Sequence, residues 1–482
     1  MKLKNLLSSL SDDIGEIDIT GIEQDSRLVQ PGTVFLAYPG SQVDGRLFIN
    51  NAIQQGAAAV FYEPEGFSPA SSTIPLIPIP HLSLHVGSIA SQFYGEPGLA
   101  FDVTGITGTN GKTTIAYQLS EAHQALGCKT AYVGTLGEGC FNDLRPLNNT
   151  TPDALTLQRL FYAYKKQQIK NICMEVSSHA LCQGRVEAID FKQAIFTNLT
   201  HDHLDYHHTM AAYGQAKAML FATSGLEFAI LNEDDEAYSI MKNACGLKTK
   251  ICSYGINTTS DVRVSSVKMS MVGTEIEVNS PWGQFNLHLK TIGRFNIYNA
   301  MAVFSSLLLS GYEPKRVVEV MAQLHPSPGR MEIVVNNPTV LVDYAHTPDA
   351  LEKALLTLKG LKKRKLMVVF GCGGDRDKTK RAVMGRVASE HADEVIITSD
   401  NPRTENPQQI MDDIQVGLIE TSNVRLIPDR KAAIQAALER AHPDDLILIA
   451  GKGHEDYQQI GTIKYPFSDQ GVVKDFFSAV NL

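Results

Sequence analysis

Paired cysteines, long apolar runs and an excess of basic charge are all missing from this chain of 482 residues. Its seven cysteines are scattered, odd in number and without a CxxC pair, which argues against a disulfide frame or a cysteine-based zinc site and points to reduced thiols. No stretch reaches the ~18 consecutive apolar residues that a membrane-spanning helix needs. Residues 1–10 carry Lys2, Lys4 and a few leucines but no sustained apolar region and no cleavage site, so the expected compartment is the cytoplasm. With 43 Lys and Arg against 52 Asp and Glu the formal net charge is −9, and nucleic acid, whose binding rests on clustered cations, is not an expected partner. A small anionic substrate stays open, because a few local cations can build its site. Internal repeats and low-complexity tracts are absent too.

What remains is an ordinary globular composition, 43% apolar and 20% charged. The chain is too long for one core; at roughly 150 residues per domain, about three are expected. The Ser- and Pro-rich segment 67–80 and the FYGEP run at 93–97 read as the end of a first domain and its connection onward. A second break falls at 326–330 (PSPGR), giving expected domains at 1–97, 98–329 and 330–482. Beyond residue 98, short apolar runs alternate with helical periodicity, the pattern of a mostly parallel α/β sheet. Residues 101–106, 172–176, 194–199, 366–370, 394–398 and 446–450 read as strands, and 113–126 as a helix stopped by Gly127.

Between the first of those strands and that helix lies Thr107-Gly108-Thr109-Asn110-Gly111-Lys112-Thr113-Thr114. Glycines let backbone N–H groups close around phosphate oxygens, and a helix N-terminus adds its dipole and free donors. In this pattern Lys112 reaches the β- and γ-phosphates and the Thr113 hydroxyl holds Mg²⁺, so ATP and magnesium are expected. The common spacing asks for glycine where this chain has Ile106, which makes the loop a variant. Glu175, at the end of strand 172–176, is a carboxylate suited to the same metal. His201, His203, His207 and His208 raise the alternative of zinc, but no cysteine accompanies them and the phosphate loop asks for magnesium.

Three polar loops leave the carboxyl ends of the expected late strands: 371–376 (GCGGDR), 400–403 (DNPR) and 451–455 (GKGHE). Ligands of open α/β sheets bind outside that edge. Arg376 and Arg403 suit carboxylates, with the guanidinium fork matching two oxygens at once, and Glu455 suits an ammonium. A ligand with both features is a diamino diacid.

The motifs TGTNGKTT, MEVSSHAL, TNLTHDHLDYH, YGQAK (213–217), GRFNIYNA (293–300) and DNPR occur in the order in which they stand in the Mur ligases, and the chain resembles that family along essentially its whole length. The resemblance implies a central P-loop ATPase-type sheet, a Rossmann-like C-terminal domain and a small N-terminal α/β domain. It implies Glu175 and His203 as Mg²⁺ ligands, and carbamylation of Lys217 to N6-carboxylysine; from the residues alone Lys217 reads only as a lysine on a helix surface. Asn296 and Asn299 are implied for the adenine side, and Arg330, Asp343 and His346 for contact with the nucleotide in a closed state. Ser26 and Gln42 stand in segments that resemble the uridine-binding parts of the family branch that adds diaminopimelate or lysine. Asn149, Thr150, Thr151, Ser177, Gln183 and Arg185 look like that branch's set for the muramoyl-dipeptide. Asp400, Asn401, Pro402 and Arg403 match its diaminopimelate signature, joined by Gly451, Glu455 and Arg376.

The implied reaction is ATP-dependent addition of meso-diaminopimelate to UDP-N-acetylmuramoyl-L-alanyl-D-glutamate, by a cytoplasmic enzyme expected to be a monomer. Arg403 argues against the lysine alternative, and the uridine-type segments argue against polyglutamylation of a folate. A regulatory protein that kept the fold and lost the chemistry is the alternative of another class. Against it stand Lys112, Thr113, Glu175, His203 and Lys217, all in place.

Overall fold

The computed structural model describes residues 1–7, 12–40, 43–257 and 259–480. Among the described residues three large sheets follow one another along the chain, and a two-stranded ribbon, Tyr457–Ile460 with Ile463–Pro466, comes after the last of them. The first is four-stranded and parallel, with Gly21–Glu23, Thr33–Ala37, Ala59–Tyr62 and Leu76–Pro78 side by side. Within the Ser- and Pro-rich segment 67–80, residues 76–78 pair with Val60, Phe61 and Tyr62 as an edge strand of this first sheet, a place that tolerates Pro78 because one side of it needs no ladder partner.

The central sheet has eleven strands. Its parallel middle comprises Lys250–Gly255, Phe228–Asn232, Phe191–Phe196, Asp102–Thr107, Asn171–Glu175 and Thr130–Gly134, in that spatial order. These strands are almost wholly buried, as apolar strands covered by helices on both faces must be. Each end of the sheet turns antiparallel, with 137–145 on one side and the long ribbon 262–289 on the other. The third sheet has the order 332–336, 339–343, 446–450, 366–370, 394–397 and 424–426, parallel except for its first pair. The expected α/β class with dominant parallel sheets is what the chain forms.

The strand Asp102–Thr107 sits between Phe191–Phe196 and Asn171–Glu175, so the loops after these three strands share one edge. The helix Lys112–Ala125 then packs Ile115, Leu119 and Ala122 into the main core with Ile297, Met301 and Phe304 of a second helix, Arg294–Leu309. A fully buried Ile or Leu contributes about 1.5–3 kcal/mol, so this apolar stripe fixes where the helix begins. Gly127 ends it at φ +90°, its N–H bonded to Gln124 O at 3.0 Å.

The link to the third sheet is fastened to the same helix. His325 N–H donates to Glu121 Oε2 at 3.0 Å, Gln118 Nε2 donates to His325 O at 3.1 Å, and Thr114 Oγ1 lies 3.1 Å from Ser327 Oγ. Ile292 and Phe295 of the central unit join the core under the third sheet. No helix among the described residues is long and apolar enough to cross a membrane.

Candidate active site

The phosphate loop is held by its neighbours before any ligand arrives. Asn198 accepts from Asn110 N–H on Oδ1 at 3.0 Å and donates from Nδ2 to Asn110 O at 3.1 Å, and Thr197 Oγ1 donates to Asn110 O at 2.6 Å. Gly108 stands at φ +146°, where an added Cβ would fall 1.8 Å from Thr197 Oγ1. Gly111, at φ +90°, would bring a Cβ to 2.6 Å from Asn299 Oδ1. The helix starting at Lys112 has no side-chain cap, so its first N–H groups are left for an anion. Lys112 Nζ donates to Gly108 O and Thr109 O at 2.7 and 2.9 Å, placing the ammonium within the loop. Burial lowers its pKa, against the pull of Glu175 and Asp202. A polyphosphate there relieves that penalty.

Glu175 is the buried carboxylate of the site. Its Oε1 accepts from Tyr132 OH at 2.7 Å and Thr135 N–H at 2.8 Å, and its Oε2 from Thr113 Oγ1 at 3.0 Å and Thr135 Oγ1 at 3.2 Å. Thr113 and Glu175 thus come together, as a magnesium site at a phosphate loop requires. Tyr132 and Thr135, not singled out in the sequence, hold the carboxylate; only their distance in space from Glu175 reveals it.

The histidine run does not gather as a cluster of metal-binding side chains. Among the described residues no three of His, Cys, Asp and Glu meet as a metal-holding group. His203 and His207 pack with His179, Tyr206 and Tyr213 as rings, with centroids between 4.2 and 6.0 Å apart. His207 Nε2 lies 2.9 Å from Ser178 Oγ. His203 occupies a left-handed φ of +54° next to Asp202, whose Oδ2 lies 3.4 Å from its Nε2. Burial raises the Asp202 pKa, but His203, His346 and Lys380 outweigh it and hold the group below its ordinary value.

Lys217 corrects the reading from residues alone. It is not on a helix surface: it is 1% exposed, with Nζ 4.2 Å from the centroid of Tyr213. Burial and then the Lys112 charge push its pKa well below the usual lysine value, so its amine is held toward the neutral form.

The phosphate loop opens on a cavity of about 730 Å³ that is shared with the third sheet. Asn110, Gly111, Asn299, Arg330, Asp343 and Lys353 are among its lining. Of the two asparagines expected at the adenine, Asn299 lines this cavity. Asn296 stands behind it, accepting from Asn299 Nδ2 at 3.0 Å and donating to Ile292 O at 2.8 Å. Arg330 reaches Thr113 Oγ1 with Nη2 at 3.4 Å and stacks 4.4 Å above Tyr344, while its buried Nε has no partner among the described residues. Asp343 accepts from Met331 and Ala345 N–H at 2.7 and 2.8 Å, and burial raises its pKa. His346 Nδ1 lies 2.8 Å from Tyr344 O, and burial pushes its pKa down to about 4. Asn110 Nδ2 donates to Asp349 Oδ2 at 3.2 Å, a direct contact from the phosphate loop to the helix Pro348–Leu361 that follows strand 339–343 of the third sheet.

The three late loops meet at the edge of that sheet. Arg403, at φ +50°, donates from Nη1 to Gly374 O at 2.6 Å, and its backbone pairs with Gln459 and Gly461. A Cβ on Gly373 would approach Arg403 Nη1 at 2.9 Å and Arg376 Cγ at 3.8 Å, so both arginines flank that glycine. Arg376 itself is exposed. Asp400 is buried and accepts from Asn401 N–H at 2.7 Å; Pro402 is buried beside it. Gly451, at φ +117°, leaves room for Asp400, whose Oδ2 an added Cβ would meet at 2.5 Å. Glu455 Oε2 accepts from Asn401 Nδ2 and from Lys452 Nζ, each at 2.8 Å. Lys452 was not singled out in the sequence.

The residues expected at the precursor converge on the end of the Glu175 strand. Thr151 Oγ1 donates to Glu175 O at 2.9 Å and accepts from Ser177 N–H at 3.1 Å. Arg185 donates to Thr151 O at 2.8 Å and to Gln183 Oε1 at 2.9 and 2.6 Å. Thr150 Oγ1 lies 3.1 Å from Thr135 Oγ1, and Asn149 is exposed next to it. Ser26 is buried at the start of a short helix in the first unit, outside this hydrogen-bonded group. Gln42 lies outside the described residues.

A preformed phosphate loop with a buried carboxylate, facing a second parallel sheet across a shared cavity, defines a P-loop nucleotide enzyme. Residues 18–94 match the Mur ligase family catalytic domain, 106–307 the Mur ligase middle domain and 329–453 the Mur ligase glutamate ligase domain. The UDP-N-acetylmuramoyl-L-alanyl-D-glutamate–2,6-diaminopimelate ligase of Coxiella burnetii is 44% identical over 462 residues, 94% of each chain. The ligase of the same name from Geobacillus thermodenitrificans is 41% identical over 488 residues, 98% of this chain and 99% of that one. A solved structure of a ligase with this name is 34% identical and superposes with a TM-score of 0.74 over 100% of this chain and 99% of the other. The chain belongs to the Mur ligase family, ATP-dependent enzymes that form amide bonds in peptidoglycan precursor synthesis.

Proposed function

We propose that this ligase adds meso-diaminopimelate to the D-glutamate of UDP-N-acetylmuramoyl-L-alanyl-D-glutamate, in the cytoplasm. The observation that carries the choice of amino acid is the late-loop pocket, where Arg403 and Arg376 offer guanidinium groups to a carboxylate and Glu455 offers an oxygen to an ammonium. Near-full-length similarity to relatives named for that reaction supports it.

The chemistry runs in two transfers. A γ-carboxylate oxygen of the D-glutamate attacks the γ-phosphorus of ATP, the bond to the β,γ-bridging oxygen breaks, and ADP leaves an acyl phosphate. The amine of diaminopimelate then attacks the acyl carbon, loses a proton and expels inorganic phosphate as the amide forms. Lys112, the loop N–H groups and the helix N-terminus stabilise charge that grows during transfer, where fixed electrostatics do most of the work. Arg330 and His346, brought by the third sheet, close on the nucleotide; Asp343 and Asn299 border its cavity. Thr151, Ser177, Gln183 and Arg185 hold the precursor where the Glu175 strand ends.

The oxygen donors Thr113 and Glu175, with His203, fit Mg²⁺, which neutralises phosphate charge when bound. Lys217 fits the same site only with its charge inverted. Its buried, pKa-lowered amine is a nucleophile for CO₂; the N–C bond forms, one proton leaves, and the carbamate is an anion.

The test is an assay with ATP, Mg²⁺ and the UDP-linked dipeptide, offering diaminopimelate or lysine. Diaminopimelate is expected to be used with a kcat/KM about 100-fold or more above lysine, the scale of a lost charge-assisted contact. Equal use of the two overturns the reading.

A further inference from the structure

Beside the glutamate of the late loops lies a cation with no surface. Lys452 is 0% exposed, and both of its hydrogen bonds point into the proposed amino-acid pocket: Nζ donates to Glu455 Oε2 at 2.8 Å and to Asn401 Oδ1 at 3.1 Å. Asn401 closes the ring by donating from Nδ2 to the same Glu455 oxygen at 2.8 Å, while its Oδ1 also accepts Gln459 N–H at 2.8 Å. Because a lysine and a backbone N–H can only donate, the orientation of the Asn401 amide is settled by its partners. Among the described residues no donor reaches Glu455 Oε1. The Lys452 ammonium also lies 5.4 Å from the Tyr457 ring, and Glu455 N–H returns to Lys452 O at 3.0 Å.

Resting on the reading of the site as a diaminopimelate pocket, we infer that Lys452 is a positioning residue that sets amino-acid specificity. The ring aims one glutamate oxygen at the ligand and fixes Asn401 beside it. It also pairs the glutamate charge before the ligand arrives. A ligand that brings only a side-chain ammonium meets an ion pair that is already close to neutral and gains little. A ligand that adds a carboxylate gains from Arg403 and Arg376 as well. Without the lysine charge, Glu455 keeps the Asn401 amide as a donor but has no counter-charge in a largely buried site, where it attracts strongly and a lone cation is favoured.

The test compares kcat/KM for diaminopimelate and for lysine in the unmodified enzyme, in K452Q, in E455Q and in K452Q/E455Q, with melting temperature and the KM for ATP followed in each. K452Q keeps donors at the position and removes the charge. The diaminopimelate-to-lysine ratio is expected to fall at least tenfold in K452Q, with lysine use rising and the KM for ATP unchanged within about twofold. The gain in lysine use is expected to vanish in K452Q/E455Q. A merely structural lysine would lower both amino acids together with the melting temperature. If K452Q does not fold, K452Q/E455Q against E455Q decides: removing the stranded cation should restore diaminopimelate use at least fivefold, and no recovery overturns the inference. A ratio unchanged in a folded K452Q overturns it too. If the unmodified enzyme shows no preference for diaminopimelate, the functional reading itself fails; if it does and the variants keep the preference, only the role of Lys452 fails.

Discussion

The phosphate loop and the amino-acid pocket occupy the carboxyl edges of two parallel sheets, yet they are held in opposite ways. The first takes its anion-facing groups from a local motif: Lys112 bonds to carbonyls three and four residues before it and the helix that follows supplies the N–H groups, while Thr197 and Asn198 brace the loop from outside. The second has no local frame. Its side chains come from three loops, with Asn401 and Glu455 54 residues apart and Arg403 bonded to Gly374 29 residues away. Even the linker enters it, since Gly329 packs against the backbone of Gly453 and His454. A site made by one motif is robust and tied to one chemistry; a site made by several loops is where specificity can be tuned and where distant packing matters.

The sharpest separation comes from Lys112→Ala. Turnover is expected to fall about 10³-fold, the scale of removing a preorganised electrostatic group, while the melting temperature holds or rises because a buried ammonium has been removed. Turnover within tenfold of the unmodified enzyme would remove the loop from the chemistry. Gly329→Ala probes the opposite case. At φ +65° the new Cβ would land 2.1 Å from His454 N, so backbone must shift, and unfolding free energy should drop by about 4 kcal/mol. Gly127→Ala, equally strained at φ +90° but with nothing within 4 Å, should cost only about 1 kcal/mol in the same denaturant titration. Equal costs at the two glycines would break the claim that the linker is locked into the pocket.

The back of the phosphate helix gives a smaller, pH-dependent effect. Burial pushes His123 down to about 4, and its Nδ1 faces Asn171 Nδ2 and Tyr312 OH, each at 3.0 Å. Because the amide can only donate, Nδ1 accepts and the ring is neutral in the folded chain. Between about pH 6.5 and pH 4 the unfolded chain takes up a proton that the folded chain refuses, so stability falls as pH falls through that window, by up to about 3 kcal/mol for this residue. His123→Gln should flatten the slope of stability against pH there; an unchanged slope refutes the assignment. Arg403→Ala has the most selective effect: a KM for diaminopimelate raised about 30-fold by loss of a charge-assisted contact, with the KM for ATP unmoved. A matching rise in the KM for ATP would join the two regions that the structure separates.

The same contrast decides what could be read from the sequence. The phosphate strand and helix are legible to within a residue, because glycine placement, apolar periodicity and a GKT core act over a few neighbours. The three late strands and their loops are legible because buried parallel strands read as plain apolar runs. The ribbon 262–289 was not, since its strands carry exposed polar residues and pair mostly with each other, with only Val262 and Arg263 reaching the strand Lys250–Gly255 of the sheet middle. From the residues alone Lys217 reads as a lysine on a helix surface and Lys452 carries no signal; both are buried by packing that no local pattern records. Tyr132 and Thr135 were invisible for the same reason, because their bond to Glu175 crosses 43 and 40 positions.

The central claim is that the phosphate loop and the late-loop pocket act on one carboxylate delivered between them. It is tested most directly by labelling the D-glutamate γ-carboxylate of the UDP-linked dipeptide with ¹⁸O and analysing the phosphate released as diaminopimelate is added. Transfer through an acyl phosphate predicts one ¹⁸O atom in each inorganic phosphate, and release only when ATP, dipeptide and diamino acid are all present. Unlabelled phosphate, or release indifferent to the diamino acid, would contradict the account.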